Sequence, residues 1–508
     1  MVSGKLKVLA VAAVVTVGLA ACGADDAPTS SADKAAGAGA PPAVPGYGAP
    51  GPANTTAAAV EEGSTGERRT TDQAISTFAV DVDTASYGFA KRQLLAGQRP
   101  AANTIRPEEF VNSFRQGYRA PSGNGFAVNA DGVRLPGTHK GADETARLLR
   151  IGLQTSAAPA GERRDAQLTF VVDVSGSMAE AGKLDLVQHG LHTLVDQLRS
   201  TDSVAIVAYS DNADVLRPMT AVRDRGALHT AIDRLRVAGS TNLEAGLLKG
   251  YDIARSAFRT DATNRVILLS DGLPNVGSTD ATSLVRAVQE AAAKQITMMG
   301  VGVGSDYGDK FMEQLADKGD GYVVYVSERD EAARIFVEQL PAALSVRALD
   351  AKAQVEFDSR TVLSYRLIGY DNRTLSASQF RDDQVDGGEV GPGHAVTALY
   401  ALHLRPGAEG HLADVRVRWL DPRTKEATEI LQPMAVSVTD QALTGANVPL
   451  RVCYVAAYLA EVLRNSQYAG EVRLPDLLSL AGAARRDSDD QQVAELEQVV
   501  QAAAKLYG

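Results

Sequence analysis

The sequence has 508 residues, of which 45% are hydrophobic and 22% charged, and its formal net charge is −11. This composition is that of a globular protein with enough apolar residues for more than one core, and the length predicts two to four domains. The acidic balance, with no basic stripe, argues against a nucleic-acid-binding function and does not by itself indicate a partner.

The first 21 residues are predicted to be a processing segment outside the fold. Lys5 and Lys7 precede an apolar stretch, residues 8–21, that is too short to span a bilayer and is typical of a secretory signal. The stretch ends in Leu-Ala-Ala-Cys, the pattern of a bacterial lipobox. We therefore expect a signal peptide over residues 1–21 and lipidation of Cys22. The alternative is an ordinary signal peptide followed by a chance cysteine.

Residues 22–70 are rich in Ala, Gly, Pro, Ser and Thr. Such a segment has few large apolar side chains to build a core, so it predicts a disordered tether. A flexible chain of this length has an r.m.s. span of roughly 40 Å. With a lipidated cysteine, the tether predicts a protein anchored to the cell membrane on its extracytoplasmic face. Cys453, the second of two cysteines, lies in an apolar helical stretch and is predicted to be a small core residue.

The folded part is predicted to begin with a mixed α and β region over residues 71–165. A short strand leads into a helix between residues 75 and 98. Pro107 is predicted to start a second helix, with Glu108 and Glu109 in its first turn, where the helix dipole favours acids. Two strands follow, in "GFAVNADGVRL" and "ARLLRIGLQT".

Residues 166–346 have a different pattern, in which short apolar strands alternate with amphipathic helices. The predicted strands are "AQLTFVVDV", "SVAIVAYS", "NRVILLS", "ITMMGVGVG" and "GYVVYV". The segments between them place apolar residues on one helical face, as in "KLDLVQHGLHTLVDQLRS", and a last helix closes the region. This alternation is typical of an α/β domain with a doubly wound, mostly parallel sheet covered on both faces.

Strands return over residues 347–447 without regular helices, which favours an antiparallel sandwich. The tail, residues 448–508, is predicted to be helical, and its last helix carries an apolar stripe that should pack on the body of the protein. The stripe consists of Val493, Leu496, Val499, Val500 and Ala503. Because strands flank the α/β region on both sides, we expect the N- and C-terminal regions to form one sandwich with that region inserted between its halves.

Oxygen-bearing side chains lie in three loops of the α/β region. Asp173, Ser175 and Ser177 directly follow its first strand. Thr241 opens a later helix, and Asp271 directly follows the strand "VILLS". In a doubly wound sheet, ligands bind outside the carboxyl ends of the strands, so these loops can meet at one edge. Hydroxyl and carboxylate oxygens are the ligands that Mg²⁺ prefers, so the five residues predict a divalent-cation site.

Each of these pieces also has an interpretation that needs no metal. The segment "SGS" has the composition of a turn. Thr241 with Glu244 matches the capping box S/T-x-x-E, and Asp271 with Gly272 is consistent with a simple turn at a strand end. A metal site is favoured because all three pieces lie at the same predicted edge of the sheet.

The segments "DVSGSM", "GSTN" and "LLSDGLPNVG" resemble the metal-ion-dependent adhesion site of von Willebrand factor type A domains, which have a Rossmann-like fold. Asp173, Ser175 and Ser177 fall on the D-x-S-x-S positions of that site. Thr241 falls on its threonine, and Asp271 on its last aspartate. Further segments, such as "STFAVDVDTASY", "RPEEFVNSF" and "YRLIGYDNR", are similar to bacterial lipoproteins of the YfbK-like family, in which a type A domain lies between characteristic N- and C-terminal regions.

This resemblance implies a function. In type A domains the cation is held by hydroxyls, water and few direct carboxylates, and it can accept a further ligand, typically a Glu or Asp carboxylate of a protein partner. We therefore expect Mg²⁺, or Mn²⁺ or Ca²⁺ in its place, and a protein-binding role at the cell surface without catalysis. The resemblance also implies a triacyl-type modification at Cys22 that holds the chain on the membrane.

Two alternatives stay open. In the first, the cation is structural and locks the fold of a cell-envelope scaffold. In the second, the protein is a metal-dependent hydrolase whose cation activates water. The sequence contains no HExxH, GxSxG or P-loop motif, and its seven histidines are scattered. His189 and His192 lie on the helix after the first metal loop, and nothing in the sequence places either at the site.

Three other segments look like ligand loops but depart from the patterns. Residues 81–87, "DVDTASY", do not match D-x-S-x-S, and we interpret Asp83 as a helix N-cap. Residues 382–393 begin like a calcium loop, but Gly393 stands where a bidentate glutamate is needed. We interpret them as a hairpin loop, with weak calcium binding as the alternative. Residues 300–308, "GVGVGSDYG", do not match G-x-G-x-x-G and predict a strand that runs into a loop.

Overall fold

The structure is a computed structural model of the chain. The chain divides into Met1–Ala59, which lies outside the described residues, and Val60–Gly508, which holds the fold below. The predicted signal peptide, Cys22 and the predicted tether up to residue 65 lie outside the described residues. The end of the predicted disordered tether at residue 70 is wrong, because Arg68–Arg69 forms a strand and Thr70 is buried. The structure describes residues 66–80, 84–123, 125–136, 143–157, 164–180, 182–272, 281–304, 310–319, 321, 323–326, 336, 347–383, 385, 387–422 and 424–508. Within these ranges, every helix is too short or too polar to cross a membrane.

Strands and helices are numbered in chain order. The strands are β1 Arg68–Arg69, β2 Ile75–Ala79, β3 Phe126–Arg134, β4 Ala146–Thr155, β5 Asp165–Asp173, β6 Ser203–Tyr209, β7 Ala213–Ala221, β8 Ala262–Ser270, β9 Ile296–Val303, β10 Val323–Val326, β11 Leu349–Phe357, β12 Val362–Leu367, β13 Thr374–Leu375, β14 Ala395–Leu404, β15 His411–Leu420, β16 Ala427–Ala435 and β17 Gln441–Ala442. The helices are α1 Ala85–Leu95, α2 Pro107–Asn112, α3 Leu184–Gln197, α4 Arg225–Ile232, α5 Leu243–Ser256, α6 Ala281–Ala292, α7 Lys310–Lys318, α8 Val448–Leu463, α9 Leu474–Arg486 and α10 Gln491–Tyr507.

A six-stranded sheet in the order β10-β9-β8-β5-β6-β7 forms the centre of the α/β region. Its first five strands run parallel, and β7 is an antiparallel edge strand. One face packs in a cluster that includes Leu191 of α3, and the other in a cluster that includes Leu247 of α5 and Leu284 of α6. The predicted doubly wound, mostly parallel fold is confirmed. The predicted closing helix lies outside the described residues, apart from Phe336.

Five edge strands were not predicted from the sequence, and β7 and β16 are the two longest of them. Each contains a proline, Pro218 in β7 and Pro433 in β16, and each lies at the end of its sheet. Most of their side chains are exposed or half-buried, so neither strand has the apolar run of a central strand. An edge position tolerates proline because one side of the strand needs no N–H donor for a ladder.

Two further sheets combine strands from before and after the α/β region. One has the order β1-β12-β14-β4-β3-β17, and the other β13-β2-β11-β15-β16. Strand β4 pairs with β14 and strand β2 with β11, in both cases antiparallel. The facing sides of the two sheets share one core, which includes Leu149 and Tyr400 of the first sheet and Val355 and Val415 of the second. The flanking regions therefore form one sandwich into which the α/β region is inserted, as the flanking strands led us to expect.

A layer of helices packs against the six-stranded sheet of the sandwich. Helices α1, α2, α8, α9 and α10 contribute to this core together with Leu148 of β4. Cys453 of α8 is buried here without a disulfide, and the predicted apolar stripe of α10 is buried as well. Helix α2 begins at Pro107, with Glu108 and Glu109 in its first turn, as predicted.

Two of the loop interpretations need correction. Residues 382–393 connect β13 of one sandwich sheet with β14 of the other, so the hairpin interpretation is wrong. Gln384 and Asp386 of this loop lie outside the described residues. The N-cap position of α1 is Thr84, so the choice of Asp83, itself outside the described residues, is wrong by one residue. Strand β9 runs into a loop at Gly304, as predicted.

Candidate metal centre

The first loop of the candidate site follows β5, which ends at Asp173. The N–H of Ser175 donates to Asp173 Oδ1 at 2.8 Å and closes a tight turn. The hydroxyl oxygens of Ser175 and Ser177 are then 3.1 Å apart, and a short 3₁₀ helix, Gly176–Ala179, follows. The segment "SGS" is thus a turn, as its composition indicates, and the turn places two hydroxyls side by side.

The carboxylate of Asp173 is fully buried between three strand ends. Its Oδ2 accepts hydrogen bonds from the hydroxyls of Ser270, at 2.7 Å, and Tyr209, at 3.2 Å. Burial raises the pKa of the Asp173 carboxyl, although the hydrogen bonds from Ser175 and Ser270 act in the opposite direction. Because all these donors are neutral, a cation nearby would favour the charged carboxylate further.

Asp271 follows β8 and brings the second carboxylate to the same place. Its Oδ1 accepts a hydrogen bond from the Ser177 hydroxyl at 2.8 Å, and its Oδ2 accepts one from Lys183 Nζ at 2.8 Å. The residues of the first loop and Asp271 therefore form one hydrogen-bonded cluster, as the meeting of strand ends predicted.

The third loop is joined to the first through its backbone. The N–H of Gly176 donates to the carbonyl of Gly239 at 3.1 Å, and Thr241 lies buried two residues further along. The N-cap of α5 is Asn242, whose side chain accepts the N–H of Ala245 at 3.1 Å, so the capping-box interpretation of Thr241 is wrong. The candidate site, called the rim site below, consists of Asp173, Ser175, Ser177, Thr241 and Asp271.

The described atoms of the rim site fit a hard divalent cation. An octahedral ion with metal–oxygen bonds of 2.0–2.1 Å has neighbouring ligand oxygens about 2.9 Å apart. The separations of 3.1 Å between Ser175 and Ser177 and of 2.8 Å between Ser177 and Asp271 match such edges. Within the described part of the chain, no three His, Cys, Asp or Glu side chains form a metal-binding cluster. A cation at this site would therefore depend on the hydroxyl oxygens.

Three residues of this cluster were missed by the sequence analysis: Tyr209, Ser270 and Lys183. Tyr209 ends β6 and is the direct register partner of Asp173, while Ser270 ends β8 immediately before Asp271. Ser270 could have been flagged because it ends a strand directly before Asp271, at the edge of the sheet where ligands bind. Lys183 carries no such signal, since its position depends on how the first loop folds back.

One of the two histidines on the helix after the first metal loop, His192, contacts residues outside the rim site. His192 Nδ1 lies 2.7 Å from His229 Nδ1 of α4, and its Nε2 lies 3.2 Å from Asp233. The helical rise places His192 roughly 13 Å along α3 from Lys183. These contacts belong to the packing of α3 against α4.

The chain matches three family models. The first, described as von Willebrand factor type A domain, matches residues 167–338. The second, described as "Uncharacterized protein YfbK, C-terminal", matches residues 342–411, and the third, described as von Willebrand factor, matches residues 57–141. The first match contains the whole rim site.

Individual proteins match over different shares of the chain. The YfbK protein of Escherichia coli (strain K12) is 30% identical over 457 residues, which is 84% of this chain and 78% of the relative. The inter-alpha-trypsin inhibitor heavy chain H1 of Mesocricetus auratus is 27% identical over 175 residues, 33% of this chain and 19% of the relative. A solved von Willebrand factor type A structure from Catenulispora acidiphila has a TM-score of 0.46 at 18% identity, with 75% of this chain and 91% of that chain covered.

Proposed function

Because the chain belongs to the YfbK family and carries a von Willebrand factor type A domain at its centre, we propose that its rim site binds a divalent cation through which a protein partner is held. The observation that carries the proposal is the pair of oxygen–oxygen separations, 3.1 Å between Ser175 and Ser177 and 2.8 Å between Ser177 and Asp271, each of which matches an edge of an octahedron of ligands. Type A domains generally mediate protein–protein interactions and often bind metal, which supports the proposal. The proposed role involves no catalysis.

The residues of the rim site have separate parts in this proposal. The hydroxyls of Ser175 and Ser177 and Oδ1 of Asp271 would hold the cation directly. Asp173 would contribute negative charge without coordinating the cation directly, because its two oxygens already accept three hydrogen bonds. Thr241 would complete the set from the third loop. A bound Mg²⁺ or Mn²⁺ supplies a coordination position for an anionic oxygen, here a carboxylate of the partner.

The access to the site suits a protein partner. Gly176 and Ser177 are exposed, while Asp173, Ser175 and Asp271 behind them are buried. An approaching carboxylate would therefore meet the cation at the surface without entering a deep pocket. A shallow, solvent-facing position favours a side chain presented by another protein.

The cellular location is part of the proposal. Cys22 follows a signal-like segment, and the tether that follows is long enough to hold the folded part off a membrane surface. We propose that the protein is lipid-anchored at Cys22 on the extracytoplasmic face of the cell membrane. Radiolabelled palmitate incorporation into the wild-type chain, and its loss in Cys22→Ser, would test this part.

Metal-dependent capture tests the binding proposal. Wild type and Ser175→Ala/Ser177→Ala are titrated with Mn²⁺ by calorimetry and used to capture proteins from envelope extract, in Mg²⁺ and in EDTA. We expect the wild type to bind Mn²⁺ and to capture a partner in Mg²⁺ alone. Equal capture by both proteins regardless of metal would contradict the proposal. Loss of fold in EDTA with unchanged capture would favour the scaffold alternative.

A further inference from the structure

Lys183 occupies a position at the start of a helix, where a lysine is unfavourable. It is the N-cap residue of α3, with φ −111° and ψ −91°, and its side chain makes no cap hydrogen bond. N-caps are usually Ser, Thr, Asp or Asn, and the positive end of the helix dipole repels a cation. A residue that breaks a local rule in this way is expected to serve the site it contacts.

The side chain of Lys183 turns into the rim site. It is 6% exposed, and its Nζ lies 2.8 Å from Asp271 Oδ2 and 3.0 Å from Glu180 Oε2. Gly304, at the end of β9, leaves room for it, because a Cβ there would lie 2.8 Å from Lys183 Cε. These two carboxylate contacts favour the charged form of the ammonium.

The charges around the rim site do not balance a divalent cation. The buried groups are the carboxylates of Asp173 and Asp271 and the ammonium of Lys183, which together carry one negative charge. Glu180 is 71% exposed, so solvent and salt screen its charge. A divalent cation held here would keep about one positive charge, whereas without Lys183 the two carboxylates would neutralise it.

We infer that Lys183 offsets the charge of Asp271, so that a divalent cation at the rim site binds more weakly but stays electrophilic enough to recruit an external carboxylate. Lys183 thus acts as a positioning residue that changes the net charge of the rim site, and this charge favours an acidic side chain as the external ligand. This inference rests on the proposed function and specifies why an anionic group of the partner would be needed at the cation.

The charge effect can be separated from the hydrogen bond with Lys183→Gln, which keeps a donor for Asp271 and removes the charge. We expect the Kd for Mn²⁺, measured by calorimetry, to fall roughly tenfold, because a nearby positive charge repels the cation. Lys183→Arg keeps the charge and should stay within about threefold of wild type. Lys294→Gln is the matched control, since Lys294 is exposed just before the N-terminal end of β9, at the opposite edge of the sheet.

The recruitment of a carboxylate is measured with acetate on the Mn²⁺-loaded proteins, through the water-proton relaxation that falls when acetate displaces bound water. Acetate affinity should fall by a similar factor in Lys183→Gln and stay unchanged in Lys294→Gln. Unchanged or weaker Mn²⁺ binding by Lys183→Gln, or unchanged acetate affinity, would overturn the inference and leave the proposed function standing. If the wild type bound Mn²⁺ no better than Ser175→Ala/Ser177→Ala, both would fail.

A variant at an exposed position provides a second test of the inference if Lys183→Gln does not fold. Glu180→Gln removes an exposed partner of Lys183 and leaves the ammonium less compensated. Mn²⁺ binding should then weaken and acetate binding tighten, in the direction opposite to Lys183→Gln and by smaller factors, because solvent screens the Glu180 charge. Asp185→Asn, which removes another exposed carboxylate of the same segment, should change both less. Equal effects of the two variants would overturn a specific role for Lys183.

Discussion

In the described part of the chain, two buried lysines lie against aspartates, and their surroundings differ. Lys352 in the sandwich contacts both carboxylate oxygens of Asp350, at 2.9 and 3.0 Å, and donates to the carbonyl of Asp382 at 2.6 Å. Lys183 in the type A domain contacts one oxygen of Asp271, at 2.8 Å. Lys352 thus contacts both carboxylate oxygens of its aspartate, whereas Lys183 contacts one oxygen of Asp271 and leaves the other to Ser177.

The contacts of the acidic residues distinguish the candidate cation site from a loop with a similar sequence. The loop that begins at Asp382 starts like a calcium loop, but Gly393 stands where a bidentate glutamate is needed. The backbone carbonyl of Asp382 accepts a hydrogen bond from the ammonium of Lys352. At the rim site, the second oxygen of Asp271 meets the hydroxyl of Ser177 instead. Both loops begin with an aspartate, and the hydroxyls beside the carboxylates distinguish the one that we propose as a metal site.

Replacement of Lys352 should have the largest effect. Lys352→Met leaves the Asp350 carboxylate without its closest cation in a buried place, which should lower the free energy of unfolding by about 3 kcal/mol. Urea denaturation measures this loss, and Lys294→Met serves as the exposed control. Restoration of stability by Ca²⁺ or Mg²⁺ would show that the loop around Asp382 binds metal, which would contradict the distinction drawn between this loop and the rim site.

Replacement of the rim-site hydroxyls should remove the response to metal. At a Mg²⁺ concentration 100 times its Kd, a folded protein gains about 2.7 kcal/mol of stability. Ser175→Ala/Ser177→Ala should lose this gain and unfold like wild type in EDTA, as measured by urea denaturation in both conditions. Ser376→Ala/Ser378→Ala is the matched control, because these exposed hydroxyls are 3.0 Å apart without a rim carboxylate. Equal Mg²⁺ stabilisation of all three proteins would contradict the assignment of the site.

The space beside Lys183 can be filled at Gly304. This residue has φ +96°, and an added Cβ would lie 2.8 Å from Lys183 Cε. Gly304→Ala should cost about 1–2 kcal/mol from backbone strain and from pressure on the lysine. Gly407→Ala, at φ +71° with no atom near the added Cβ, isolates the strain. Thermal unfolding of both variants should show the larger loss of stability for Gly304→Ala. Equal losses would mean that the Lys183 side chain moves aside without cost.

The type A fold and most of its site could be predicted because both follow from strand order. Apolar strands alternating with helices indicate a parallel sheet, and Asp173 and Asp271 each stand at a strand end on the same edge. Edge strands β7 and β16 were not predicted, because each contains a proline and mostly exposed side chains and therefore lacks the apolar pattern that indicates a strand. The sandwich was expected from its flanking strands, but the pairing of β4 with β14 joins residues some 240 positions apart and cannot be read locally.

Lys183 and Tyr209 show why the rest of the site could not be predicted. Tyr209 reaches Asp173 through the register of two neighbouring strands, which the sequence leaves undetermined. Lys183 reaches Asp271 because the loop after β5 turns back on itself before α3 begins. Contacts set by register and by loop path follow from tertiary packing, so they become visible once the strands are placed.

The smallest expected effects separate the two neighbours in the third loop. Asn242 caps α5, so Asn242→Ala should lower the free energy of unfolding by about 1 kcal/mol and change Mg²⁺ affinity little. Thr241→Val keeps the shape of a buried side chain and removes its hydroxyl, so it should weaken Mg²⁺ binding severalfold. Urea denaturation and calorimetry on both variants measure the two quantities. The reverse pattern, with metal binding lost in Asn242→Ala and kept in Thr241→Val, would leave four residues in the rim site and make the third loop a support for the first.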